Sequence, residues 1–83
     1  MTTLERLPVG SRAVVAHVEG SDELACRLME MGLTPGVELQ VIGAAPLGDP
    51  LELEVRGYRL SVRKSEAKRV EIQMTNDQAP MTS

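Results

Sequence analysis

The chain has no Phe and no Trp, and one Tyr, Tyr58. A sheet that stacks bases needs aromatic side chains, and a groove for proline-rich peptides needs an aromatic lining, so the composition argues against both uses. The lone cysteine, Cys26, rules out an internal disulfide framework and fits a reducing compartment. There is one histidine, His17, so no paired Cys or Cys/His ligand set exists, and no phosphate-cradling glycine loop of either familiar spacing is present. No apolar run approaches the ~20 residues that span a bilayer, and the N-terminus lacks a signal-peptide layout. Positive charge is not in excess either: the net charge of −3 argues against electrostatic binding of nucleic acid. These absences predict a soluble, cytoplasmic protein with neither a nucleic-acid partner nor direct membrane insertion.

What remains is aliphatic. The chain is 42% hydrophobic and 25% charged, ordinary for a globular domain, and its 83 residues allow one domain with a modest core. Its organising stretch is Arg27-Leu28-Met29-Glu30-Met31-Gly32-Leu33-Thr34-Pro35-Gly36. Leu24, Leu28 and Met31 recur at i, i+4 and i+7, the apolar stripe of a short helix over about 22–31. Gly32 suits the left-handed position after the last turn, Leu33 can cover that turn, and Pro35 forbids continuation. Pro35-Gly36 reads as a type II turn. Upstream, Ser21 suits the N-cap, with Asp22 and Glu23 at the positive end of the helix dipole.

Elsewhere the period is two. Residues 4–10 form a lead-in anchored by Leu4 and Leu7. Val14, Ala16 and Val18 predict the inner face of a first strand, with Val15, His17 and Glu19 outward. Val37, Leu39 and Val41 mark a second strand, and Leu51, Leu53 and Val55 a third. Leu60 and Val62 mark a fourth, and Val70, Ile72 and Met74 a fifth. Gly43–Pro50 reads as a loop, Gly57-Tyr58 as a two-residue hairpin turn pairing Val55 with Leu60, and residues 65–68 as one capped helical turn. Residues 1–74 are thus read as one domain, and the aperiodic segment 75–83 as a disordered tail. Five short strands with one apolar face each cannot bury those faces as a flat sheet. The expected fold is mainly β: a small, partly open SH3-like β-barrel with one short helix after the first strand, an OB-like barrel being the alternative.

No reaction template is satisfied. Cys26 lies mid-helix without an oriented base and reads as a small packing residue, so the chain is read as a non-enzyme. His17 and Glu19, i and i+2 on one strand face, stand about 6.5–7 Å apart. They could hold one divalent ion weakly, zinc being favoured by the imidazole, with a second molecule completing the shell. Arg27, Met29, Leu33 and Leu47 are apolar or cationic groups beside stiff Gly/Pro-braced segments, and form the expected partner surface.

The order of these pieces resembles the FeoA family, the small accessory proteins of bacterial ferrous-iron uptake. The matching features are Leu4…Leu7-Pro8…Gly10, Arg27-Leu28…Met31-Gly32-Leu33…Pro35-Gly36, Ala45-Pro46-Leu47-Gly48-Asp49-Pro50 and Val62-Arg63-Lys64-Ser65-Glu66-Ala67. The resemblance implies an SH3-like barrel, no required cofactor, and a partner, the GTPase-containing membrane transporter FeoB. It implies an adaptor or regulator of that transporter. The alternative is a module that binds a divalent ion, zinc or iron, and changes its assembly through a metal-bridged oligomer. A similar barrel closes iron-dependent repressors, whose winged-helix DNA-binding part has no counterpart in this sequence.

Overall fold

The computed structural model describes residues 2–74. The expected tail, residues 75–83, lies outside the described residues. The elements are β1 (Thr2–Thr3), a 3-10 turn (Leu4–Arg6), β2 (Arg12–Val18), α1 (Glu23–Glu30), β3 (Glu38–Ala44), β4 (Leu51–Val55), β5 (Tyr58–Val62), α2 (Lys64–Ala67) and β6 (Val70–Met74). All six strands join one antiparallel sheet in the order β1-β6-β2-β3-β4-β5. The two ends, β1 and β5, do not pair with each other, so the barrel stays open between them. The SH3-like expectation is met, with one strand more than the periodicity predicts. The addition is β1, a two-residue strand too short to show alternation.

The core is aliphatic throughout, and no polar or charged residue is buried among the described residues. Leu39 and Val41 from β3, Leu51, Leu53 and Val55 from β4, Val62, and Val70 and Ile72 from β6 converge on it. Leu4 and Leu7 close one end. In β2 the buried side chains are Ala13, Val15 and Val18, not the expected Val14, Ala16 and Val18. A β-bulge causes the difference: Val15 faces Ile72 and His17 faces Glu71, so Ala16 is the extra, unpaired residue. Side chains exchange faces across the bulge, and strict alternation cannot anticipate that.

The hairpin differs too. Val55 pairs with Tyr58, so the turn is Arg56-Gly57 rather than Gly57-Tyr58. Both central residues have positive φ, +54° and +87°, the signature of a type I′ turn. The observed register is displaced by two from the expected one, so the apolar faces still match and alternation alone cannot choose between them. Charge can: the observed register sets Glu54 opposite Arg59, where the expected one set Arg56 opposite Arg59.

Helix α1 buries Ala25 and Leu28, with Leu24 and Met31 half-buried at the edges of the stripe. Cys26, expected as packing, is exposed beside that stripe. The N-cap is Asp22 and not Ser21: its carboxylate accepts the Ala25 N–H at 3.3 Å. The same carboxylate takes a two-pronged hydrogen bond from Arg69, at 2.9 and 3.0 Å, tying the helix start to the residue before β6. The Arg69 guanidinium and the Ala25 N–H together hold the Asp22 carboxyl down, to about 2 from an ordinary 3.8. At the other end Gly32 N–H donates to Met29 O and Leu33 N–H to Leu28 O, a complete Schellman cap, with Gly32 at φ +113°. The Tyr58 hydroxyl donates to Met31 O, one of the carbonyls that the ending helix leaves unpaired.

Two outcomes check this. A β-carbon at position 32 would collide with the Tyr58 hydroxyl and would demand a left-handed backbone. Gly32→Ala should therefore cost about 1 kcal/mol or more, and the cost should shrink in a Tyr58→Phe background, as read by urea denaturation of all four variants. The Asp22 contribution has a defined sign. Its folded carboxyl is depressed, so the unfolded chain binds more protons in acid, and the contribution is full above about pH 4 and lost as pH falls through about 2. Arg69→Gln should flatten the fall of the urea midpoint across that window, and an unchanged slope would show that the ion pair contributes nothing.

Candidate functional site

The loop 45–50 between β3 and β4 is braced against itself and against α2. Gly48 N–H donates to Ala45 O at 2.7 Å and Ala45 N–H to Pro50 O at 3.1 Å. Asp49 accepts the Lys64 N–H at 2.9 Å, which fixes the loop to the start of α2. The peptide between Asp49 and Pro50 is cis. At the tip, Leu47 is 92% exposed, the most exposed large hydrophobic side chain among the described residues. A leucine held out on a tied loop gives up the stabilisation that burial would bring, so its place calls for a contact outside the core.

Beside this loop lies a cleft of about 380 Å³. It is lined by Arg27 of α1 and Met31 at its C-cap, by Asp49 and Pro50 of the loop, and by Ser61, Arg63 and Glu66. Arg27 reaches toward Glu66 at 3.9 Å with its side chain still 63% exposed, a weak and accessible ion pair. α2 starts here because Glu66 turns back to accept the Arg63 N–H at 3.0 Å.

The four residues expected at a partner surface separate. Arg27 and the loop that carries Leu47 flank one cleft. Met29 is partly exposed on α1, but two residues advance a helix by about 200°, so it lies across the buried stripe from Arg27 and Met31. Leu33 is fully buried and offers nothing to a partner. As the residue after the Schellman glycine it folds back onto the last turn, the role its position in the cap requires. Pro50, Ser61, Arg63 and Glu66 complete the cleft; all but Ser61 stand in the family-like motifs, but only the fold brings these separate segments together.

His17 and Glu19 are both exposed at the end of β2, and the register adds Glu71 directly across from His17. Yet among the described residues no group of three or more His, Cys, Asp or Glu side chains could hold a metal ion. The donor set does not fit a resident zinc, which takes four ligands in a structural site and at least three from the protein in a catalytic one.

An open aliphatic barrel with a tied loop, a cleft beside it and, among the described residues, no assembled ligand set is an SH3-like domain whose distinguishing features are on its surface. A family model described as the FeoA domain matches residues 2–74, and the chain belongs to that family. Over 76 residues it is 33% identical to the Fe(2+) transport protein A/Fe(2+) transporter FeoB fusion protein of Porphyromonas gingivalis, a match covering 92% of this chain. The match occupies 9% of the fusion protein's length. An NMR structure of an FeoA-like protein from Clostridium acetobutylicum superposes with a TM-score of 0.83 at 36% identity, covering 88% of this chain and 85% of that one. The crystal structure of Stenotrophomonas maltophilia FeoA complexed with zinc, described as a prokaryotic SH3 domain protein, gives 0.76 at 38% identity, covering 88% and 91%. The family is linked to ferrous-iron transport through the fusion. No helix among the described residues is long and apolar enough to cross a membrane.

Proposed function

We propose that this chain is a non-catalytic cytoplasmic adaptor that binds the GTPase-containing cytoplasmic part of an FeoB-like ferrous-iron transporter and supports iron uptake. The observation that carries this reading is the fusion in P. gingivalis, where a homologous domain and a transporter share one polypeptide. Fusion puts the two at high effective concentration, which is useful when the separate parts must meet. Surface geometry supports this reading. Leu47 is an apolar anchor on a stiff loop, with Arg27 and the cleft beside it, and Met29 extends the surface to the other flank of α1.

Few residues carry most of an interface's energy, and a pre-ordered loop costs little entropy on docking. Leu47→Asp should weaken binding to the transporter's soluble cytoplasmic region by about tenfold or more, a loss of about 1.4 kcal/mol. The melting temperature should hold, because Leu47 packs against nothing in the core. Met29→Asp should have a smaller effect. If both variants bind as the parent does, the contact lies elsewhere.

A second reading, metal-responsive assembly, has the zinc-complexed S. maltophilia relative behind it. In this chain His17 has Glu19 two residues on and Glu71 across the sheet, too few and too dispersed for a closed site. A divalent ion held here is shared between two molecules and bound weakly. Zinc titration followed by sedimentation should show association that disappears with a chelator and in His17→Ala. Tight one-to-one binding that survives His17→Ala would overturn it.

A further inference from the structure

β5 ends the sheet, and among the described residues no strand lies beside its outer side. The two-residue turn makes Val55 and Tyr58 a hydrogen-bonded pair, so Leu60 and Val62 also turn their backbone groups toward β4. The N–H and C=O of Arg59 and Ser61 then point outward. Among the described residues, neither takes part in any backbone hydrogen bond beyond the β4–β5 ladder. Both side chains are exposed, and a depression of about 300 Å³ lined by Glu52, Arg59, Leu60 and Ser61 runs beside them.

Charge marks the same edge. Segment 56–64, Arg-Gly-Tyr-Arg-Leu-Ser-Val-Arg-Lys, holds four of the chain's nine Lys and Arg residues and no carboxylate, in a chain of net charge −3. Glu54 and Glu52 lie one strand inward, opposite Arg59 and Ser61. Even so, none of Arg56, Arg59, Arg63 and Lys64 forms a side-chain ion pair among the described residues. Arg63 is extended, with φ −67° and ψ 150°, so Arg59, Ser61 and Arg63 continue along one face, the two guanidinium-bearing residues about 13 Å apart.

We propose that the outer edge of β5 accepts an extended acidic segment of a partner protein as an added strand. Backbone bonds to Arg59 and Ser61 would supply the pairing, and carboxylates at alternate positions would meet Arg59 and Arg63. A second copy of this chain is disfavoured by the same charges. Two β5 edges side by side would bring four cations of one copy against four of the other, and like charges across a ladder repel. The inference deepens the adaptor reading by naming the chemistry of the partner segment. Its test omits the transporter, so the two can fail separately.

The probe is a synthetic eight-residue Glu-Thr repeat peptide, titrated into the full chain and followed by amide hydrogen exchange and NMR shifts. The amides of Arg59 and Ser61 should slow by about tenfold or more at saturation. Ser61→Pro removes an outward N–H that the ladder does not use, an edge position where proline is tolerated. It should abolish protection at Arg59 while the melting temperature stays close to the parent's. A peptide N-methylated at every residue, with no N–H left on either edge, should also fail. Equal binding of the N-methylated peptide would reduce the effect to charge attraction and overturn the proposal. So would protection that grows with protein concentration without peptide, or binding to anionic phosphatidylglycerol vesicles with no response to the peptide.

Discussion

The hydrogen bond from the Tyr58 hydroxyl to the Met31 carbonyl ties α1, the longest helix among the described residues, to the hairpin, and much of the surface geometry depends on it. α1 has eight residues, too few to persist alone in water. It persists because the sheet holds it at three places. Ala25 and Leu28 pack on the core, Asp22 is clasped by Arg69, and Met31 is met by Tyr58. The chain's lone aromatic residue is spent at a helix terminus and not in the core; its ring stays half exposed while its hydroxyl satisfies a stray carbonyl. Gly32 is the counterpart of that choice, since any side chain there would occupy the space of the hydroxyl.

With the end of α1 fixed to the start of β5, Arg27 and Met31 face the 45–50 loop across a gap that side chains do not fill. The loop keeps its distance because its own bonds run inward, to Ala45 and Pro50, and sideways, from Lys64 to Asp49. Leu47 is therefore exposed by construction. Three hydrogen bonds at about 1 kcal/mol each hold the loop in place, against about 1.5–3 kcal/mol for burying one leucine. The two sides nearly cancel, which makes an exposed leucine sustainable.

The regular part of this fold was legible because apolar spacing and turn residues agreed with each other. The stripe of α1, its glycine stop, the Pro35-Gly36 turn and the inner faces of β3, β4 and the first half of β6 all follow from that agreement, whereas Met74, expected inward with Val70 and Ile72, is exposed. Errors fell where a decision depended on partners distant in the chain. The bulge at Ala16 is a property of the β2–β6 pairing and has no local mark. The hairpin register was ambiguous by two residues because alternation is blind to such a shift; the Glu54–Arg59 pairing was the available tie-breaker. Asp22 was preferred over Ser21 as the cap through Arg69, 47 positions away. The cleft was legible only in part: Arg27 and the loop could be named, whereas Ser61, Arg63 and Glu66 reach it from elements whose placement the sequence does not announce. Leu33 shows the opposite error, one position asked to cap a helix and to face a partner, when burial permits only the first.

Ser61 belongs both to the cleft and to the open edge of β5. It lines the cleft beneath the Leu47 loop, and by the ladder's alternation its N–H faces the open side of β5. Arg63, which also lines the cleft, continues the exposed face that begins at Arg59. The edge and the cleft are therefore adjoining parts of one stretch of surface, with cations along the strand and an apolar anchor near its end. Because Ser61 and Arg63 line the cleft as well as the edge, an extended segment paired along β5 would run into the cleft beside the 45–50 loop. Backbone pairing along the edge sets direction and register but carries little sequence information, whereas an apolar contact at the end depends on side-chain shape. Combined on one strand, they would let a short segment bind selectively without a deep pocket, which suits a domain whose core is too small to spare the volume for one.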